Sequence, residues 1–370
     1  MKLNWDKNLM IEARDNLLKK ENLDEYDESL IKSLVKFYDR NIDNKVVVSK
    51  KQKELTDEEI LEEFEYLRAE FIRFVKSYSF DTTSLINLIE GLKFLAQDYY
   101  LINVNNKKTT NQDLFDKSYQ TFDSISPYLS KCLDYIYEKK LVKVVSHKTN
   151  VTPYCDTDIY NKLGYVFIRK NHDRSLESEL NHELGHSIIN LTNGEFFYKD
   201  NSFLGEFHSV FMELYTDRYL YEKGNNIKYL YSYSNTINCL KSMIHSLAIV
   251  SEISKIDGDL TKKKIEKQLL RNYDFEIEDF NAFGNSFLPY YKLDHFDYLI
   301  GACLSFNLFD KDTKDMKRMF TNSIFNEFNN NDEFFKSVDF DYKNPCFMCD
   351  IFNEESSNVK KIIRKLEKEK

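Results

Sequence analysis

Apolar residues along this chain recur at the spacing of helices far more often than at that of strands. Leu61, Phe64, Leu67, Phe71 and Val75 mark one helical face, and Thr56 with Glu59 three residues later supplies a capping-box start for it. A second periodic run over residues 85–95 follows the polar cluster Asp81 to Ser84, and the two helices are expected to pair as antiparallel neighbours. The polar stretch 103–111 reads as the clearest internal linker. Beyond it the pattern predicts a helix containing Tyr128 to Tyr137 and helices over 175–192, 203–221, 229–253, 260–270 and 294–308. A helix opened by Pro345 and a charged helix over 359–370 close the chain. Two runs only, 141–146 and 164–169, have the β-branched and aromatic character of strands. The expected fold is mainly α with a small β-sheet, divided into a helical N-terminal subdomain (1–110) and a larger domain (111–370).

Composition supports that division of labour between helix and strand. The 370 residues include 9 Gly and 4 Pro, where average usage would be roughly 7% and 5%, so a fold built on many tight turns is excluded. A net charge of −9 and short Lys runs interleaved with acids argue against a nucleic-acid partner. The N-terminus has no uninterrupted apolar core of a signal peptide, and no segment reaches the ~18 apolar residues of a membrane span. Six scattered cysteines without a framework fit a reducing compartment. A cytoplasmic protein without a membrane partner is expected. Cys346 and Cys349 form a lone CxxC, read as structural, and His147, His172, His208 and His245 have no ligand-spaced partners.

The candidate chemistry lies inside the helix predicted over 175–192. Its sequence His182-Glu183-Leu184-Gly185-His186 is an HExxH motif. At 100° per residue the two histidines stand one above the other, while Leu176, Leu180, Leu184 and Ile188 form a stripe that can enter the core on another face. Two imidazoles so placed suit one Zn2+ ion, and Glu183, beside that face, suits a general base acting on a zinc-activated water. The metzincin continuation is excluded, because Ile189 and Thr192 stand where Gly and His would be required. A catalytic zinc takes three protein ligands. Glu206, on the next predicted helix, is the best third ligand, and Glu195 in the Gly194 turn is the weaker candidate. Glu213, two turns beyond Glu206 on the same face, is placed to hydrogen-bond a ligating imidazole, with Asp217 a further turn on. Gly194 is expected to stop the zinc helix. Gly164 and Tyr165, in the strand before that helix, are expected to offer a free sheet edge to an extended peptide.

Several blocks carry a likeness to a known family. Residues 164–171 followed by the HELGH, the segment 203–213 with its two Glu residues seven apart, 288–302 from Leu288-Pro289-Tyr290-Tyr291 through His295 and Tyr298, and Val338 to Pro345 together resemble the thimet oligopeptidase and oligoendopeptidase F family of zinc peptidases. The resemblance covers roughly residues 120–370 and implies a zincin-type helical metallopeptidase whose catalytic domain is 111–370. It implies His182, His186 and Glu206 as zinc ligands, Glu213 as support, and Tyr298, His295, Tyr290 and Tyr291 as the block that binds substrate and the transition state. Tyr298 or His295 would serve as oxyanion donor. The chain is shorter than is usual for the family, which implies less N-terminal helical cover over the cleft. The expected activity is endoproteolysis of short peptides. Its alternatives are an exopeptidase of the same type and a protease dedicated to one protein or peptide partner.

Overall fold

A computed structural model describes residues 54–77, 101–106, 109–145, 153–158, 161–169, 173–273, 275–291, 295–341 and 348–368, with 15, 19 and 89 singly. The described residues form twelve α-helices and three strands. In chain order these are α1 (Asp57–Ser77), α2 (Asn111–Ile125), α3 (Pro127–Glu138), β1 (Val142–Val145), β2 (Tyr154–Asp158), β3 (Leu163–Arg169), α4 (Leu176–Gly194), α5 (Phe207–Gly224) and α6 (Ile227–Ser254). There follow α7 (Lys262–Tyr273), α8 (Phe280–Phe287), α9 (His295–Phe309), α10 (Thr313–Phe325), α11 (Asn331–Ser337) and α12 (Met348–Lys368). The fold is mainly α with a small sheet, as the periodicity predicts. The run 85–95, His147, His172 and Cys346 lie outside the described residues, save Ile89, which is helical and buried; of the Cys349 side chain nothing is described.

Helix α4 packs against both the sheet and α5, and α5 packs in turn against α6 and α9. Leu176, Leu180, Leu184 and Ile188 are all buried, yet so is most of the polar surface of the helix. Burial of that kind is tolerated only where each polar group finds a partner. Asn181 donates to Thr216 Oγ1 at 2.8 Å, Ser187 to the Gly164 carbonyl at 3.2 Å, and Asn190 Nδ2 to the carbonyls of Asp158 and Leu163 at 3.0 and 2.6 Å. Ser175 caps the helix, accepting from Ser178 N, and its hydroxyl donates to Asp217 Oδ1 at 2.7 Å. Asp217 is thereby a buried anchor for the helix start.

Glu177, in the first turn of α4, ties the helix to its neighbours. Its fully buried carboxylate meets Lys117 and Lys228 at 3.0 Å each and accepts from the Tyr229 hydroxyl at 3.1 Å. Burial pushes this carboxyl up, but the two ammonium groups outweigh that effect and hold it below the usual carboxylate range. Its contribution to stability is therefore complete above the unfolded value near pH ~4.3 and is lost as the pH falls through the lower folded value. Glu177→Ala is expected to destabilise the protein by roughly 3 kcal/mol, at the lower end for breaking a buried pair. Denaturant unfolding at pH 7 and at pH 3 checks this: the gap between variant and wild type should narrow in acid.

The sheet order is β1-β3-β2. Strand β3 runs parallel to β1, with Val142 opposite Val166, and antiparallel to β2, with Asp156 opposite Tyr165. Strand β2 was not legible from the sequence: Tyr-Cys-Asp-Thr-Asp is short and carries two acids, against the usual strand preferences. Helices α2, α8, α10 and α11 likewise have no counterpart in the periodicity reading. The helix predicted over 203–221 begins at Phe207, after a 3-10 turn, Ser202–Leu204. The predicted break before 359 is absent, for α12 runs unbroken through its polar middle. Gly194 does not stop α4 in the expected way. It has right-handed helical angles (φ −54°, ψ −37°), the kink falls at Asn193, and the chain continues as a π-turn, Glu195–Asp200. Among the described residues no helix is long and apolar enough to cross a membrane.

Candidate metal centre

Five elements converge on one cleft of about 290 Å³, lined by His182, Glu183 and His186 of α4, Tyr198 of the π-turn, Glu206, Tyr298 of α9, and Pro153, Tyr154, Cys155 and Thr157 at β2. The two imidazoles lie one turn apart with ring centroids 5.2 Å from each other. Glu206 is the residue immediately before α5, and its Oε2 is 3.5 Å from His182 Nε2 and 3.3 Å from His186 Nε2. The ligand atoms of His182, His186 and Glu206 all lie within 4.8 Å of one another. Ser209 holds the carboxylate in place, donating to Glu206 Oε2 at 2.8 Å.

Close backbone approach makes this convergence possible. A Cβ on Gly185 would stand 3.0 Å from the His208 carbonyl oxygen, and one on Gly301 only 2.8 Å from the carbonyl oxygen of Glu206. Glycine at these two positions lets α4 and α9 reach the segment that carries Glu206.

Each histidine is oriented through its outer nitrogen. His182 Nδ1–H donates to Glu213 Oε2 at 3.0 Å, and Glu213 Oε1 is in turn held by Arg174 at 2.8 Å and Thr236 at 2.7 Å. His186 Nδ1 lies 3.1 Å from the Tyr198 hydroxyl. Both Nε2 atoms are thus the ones turned to Glu206. Two imidazole nitrogens with their outer N–H groups committed, and one carboxylate oxygen, are a donor set that fits a divalent metal ion. The charge balance points the same way. Burial resists a charged His182, yet the Glu213 hydrogen bond and the surrounding carboxylates raise it to about 9. Burial pushes Glu206 up, but His186 above all brings it down to about 2. Burial raises Glu183, against the pull of both histidines, and pushes Glu179 one turn earlier up to about 8. A pocket that raises a buried imidazole and lowers Glu206 stabilises positive charge where these groups meet.

The other predicted site residues divide into those that reach the cleft and those that do not. Tyr298 lines it, its ring parallel to His182 within 14° at 6.1 Å between centroids. His295 is buried at the start of α9 and turned to α6, its Nδ1 2.8 Å from Ser246 Oγ. Tyr290 and Tyr291 pack around that imidazole, at 5.4 and 5.8 Å between ring centroids. None of these three lines the cleft, because α9 directs its first residue to α6 and only the next turn to α4. Gly164 and Tyr165 are also displaced from the expected role. They belong to the central strand and pair with Thr157 and Asp156 of β2, and Tyr165 is fully buried. The strand on the cleft side is β2. Glu195, the weaker ligand candidate, is exposed and outside the cluster. Tyr198, Arg174, Thr236, Ser209 and the β2 residues were not found from sequence; Tyr198, twelve residues past His186, has no helical relation to it.

The same arrangement of elements occurs in solved peptidase structures. A structure assigned as oligoendopeptidase F from Bacillus anthracis str. Ames superposes with a TM-score of 0.52 and 12% identity, over 90% of this chain and 66% of that one. PZ peptidase A, solved with an inhibitor, superposes with a TM-score of 0.50 and 13% identity, over 80% of this chain and 58% of that one. The chain has the oligoendopeptidase fold. It spans less than two thirds of the length of either of these structures. No family model and no curated protein matches the sequence. Within the oligoendopeptidase fold, the cleft sits between β2, α4 and α9, with the acidic group delivered by the turn into α5.

Proposed function

We propose that this chain is a zinc-dependent metalloendopeptidase that hydrolyses short peptides in the cleft between β2 and α9. The observation that carries the reading is the meeting of His182 Nε2, His186 Nε2 and Glu206 Oε2 within 4.8 Å, with Glu183 beside them. One zinc ion held by these three residues would supply Lewis acidity, polarising a scissile carbonyl and lowering the pKa of water.

The chain's own groups account for the remaining steps. Glu183 is desolvated and its carboxyl is raised by burial, which makes it a stronger base than an exposed carboxylate. It takes the proton of the attacking water and returns it to the leaving amine. Tyr298, which lines the cleft beside His182, would donate its hydroxyl to the developing oxyanion. Pro153, Tyr154, Cys155 and Thr157 form the wall along which an extended peptide lies. Glu213, fixed by Arg174 and Thr236, keeps His182 in the tautomer that presents Nε2.

Metal analysis of the purified chain, alongside cleavage of a quenched peptide library, tests the reading. One zinc per chain and internal cleavage of short peptides are expected. Cleavage confined to one terminus would mark an exopeptidase, and a zinc-loaded chain inert on every peptide would mark a protease with a dedicated partner. Glu206→Ala is expected to weaken zinc binding by roughly 100-fold or more, since a ligand is removed where loss of a supporting group costs 10–100-fold. Unchanged zinc affinity in that variant would exclude Glu206 as a ligand.

A further inference from the structure

The phenol of Tyr198 and the break in α4 that precedes it stand outside the proposed chemistry. Had α4 run on as an α-helix, Tyr198 would lie about 18 Å along the axis from His186. Its hydroxyl is instead 3.1 Å from His186 Nδ1 and 3.1 Å from the His186 carbonyl oxygen. The chain turns back because Asn193 leaves the helical conformation (φ −125°, ψ 30°) and the next residues wind as the π-turn. The Asn193 side chain clips that break to another element. Its Nδ2 donates to the carbonyls of Ile324 at 2.8 Å and Asn326 at 2.7 Å, at the end of α10.

The directions of the two Tyr198 bonds are fixed by what each partner can offer. A carbonyl only accepts, so the single phenolic proton goes to the His186 carbonyl, and the hydroxyl oxygen accepts from His186 Nδ1–H. That leaves Nε2 as the lone-pair nitrogen facing Glu206. Glu213 performs the equivalent task for His182 as a buried anion; for His186 a neutral phenol performs it.

We infer that Tyr198 is a positioning residue for the metal ligand His186, and that the Asn193 clip on α10 is what delivers it. A helix break with no catalytic group of its own thus sets the strength of the metal site. The inference rests on the zinc reading above. It is tested on the purified full chain by zinc competition against a chromophoric chelator. Tyr198→Phe removes only the hydroxyl, and is expected to bind zinc 10–100-fold more weakly with the circular dichroism spectrum and the thermal unfolding of the chelator-treated protein close to wild type. Asn193→Ala, remote from the cleft, is expected to weaken zinc in the same direction. The double variant should bind no more weakly than Tyr198→Phe alone, because both changes act through one hydroxyl. Should Tyr198→Phe fail to fold, Asn193→Ala carries the test by itself. Equal zinc affinity in wild type and the variants overturns the inference while leaving the site standing, and additive losses in the double variant overturn the clip. A wild-type chain that binds no zinc overturns the reading beneath both.

Discussion

Glu183→Gln is expected to lower the turnover of peptides by about 10³-fold, within the range that a positioned general base contributes, while the chain still binds one zinc. The substitution keeps the size and the hydrogen-bonding reach of the side chain and removes only its capacity to take a proton. Glu183 lies next to His182 in the HExxH yet does not join the group of ligand atoms formed by His182, His186 and Glu206, so metal content should be insensitive to the change. Glu183 is buried and desolvation is the largest influence on its carboxyl, so a neutral amide of the same size removes the cost of burying a charge there and should leave folding intact. Metal analysis and single-turnover cleavage of one good library peptide, measured on the same preparation, separate the two effects. Turnover within tenfold of wild type would assign the base elsewhere. Loss of zinc together with turnover would make Glu183 a ligand.

The second expectation concerns a residue that touches no substrate. Gly301→Ala should destabilise the fold and weaken zinc binding at the same time. An added Cβ would stand 2.8 Å from the Glu206 carbonyl oxygen, 2.9 Å from its carbonyl carbon and 3.2 Å from Phe207 N. These are backbone atoms at the entry to α5, so no flexible side chain can move aside. Either α9 retreats, carrying Tyr298 away from His182, or the Glu206 segment shifts and its carboxylate leaves the two imidazoles. Overpacking of this kind costs about 1–3 kcal/mol, and the displaced ligand should lower zinc affinity at least tenfold, as loss of a supporting group does. Thermal unfolding of the metal-loaded and chelator-treated protein reads both terms. A variant with wild-type stability and wild-type zinc affinity would show that α9 and α5 need not approach so closely. Gly224, exposed at the end of α5, has nothing within 4 Å of such an added Cβ, so Gly224→Ala controls for glycine replacement as such.

The helical character of the chain, the HExxH helix and the three residues that meet across it could be read from residues close in sequence. An HExxH needs only one turn of helix to bring its two histidines together, and a stripe of Leu and Ile at four-residue spacing already tells which face is buried. Glu206 was within reach of the same reasoning, since it lies shortly beyond that helix at the start of the next. Glu213 followed from its place two turns further on, and the structure puts its carboxylate 3.0 Å from His182 Nδ1.

What residues close in sequence cannot specify is long-range. A strand of seven residues announces itself by composition, but not which neighbours it has: β3 is flanked by β1 and by β2, and only that pairing removes Gly164 and Tyr165 from the cleft wall and puts Tyr154, Cys155 and Thr157 there. His295 and Tyr298 are one turn apart on α9, equally plausible as donors, and the packing of α9 between α6 and α5 sends one to Ser246 and the other to His182. Local periodicity sets which residues can share a face, because that depends on backbone geometry alone. Which face meets which depends on how helices distant in sequence pack, and so the partners of His186, the wall of the cleft and the approach at Gly301 emerge only once the chain is folded.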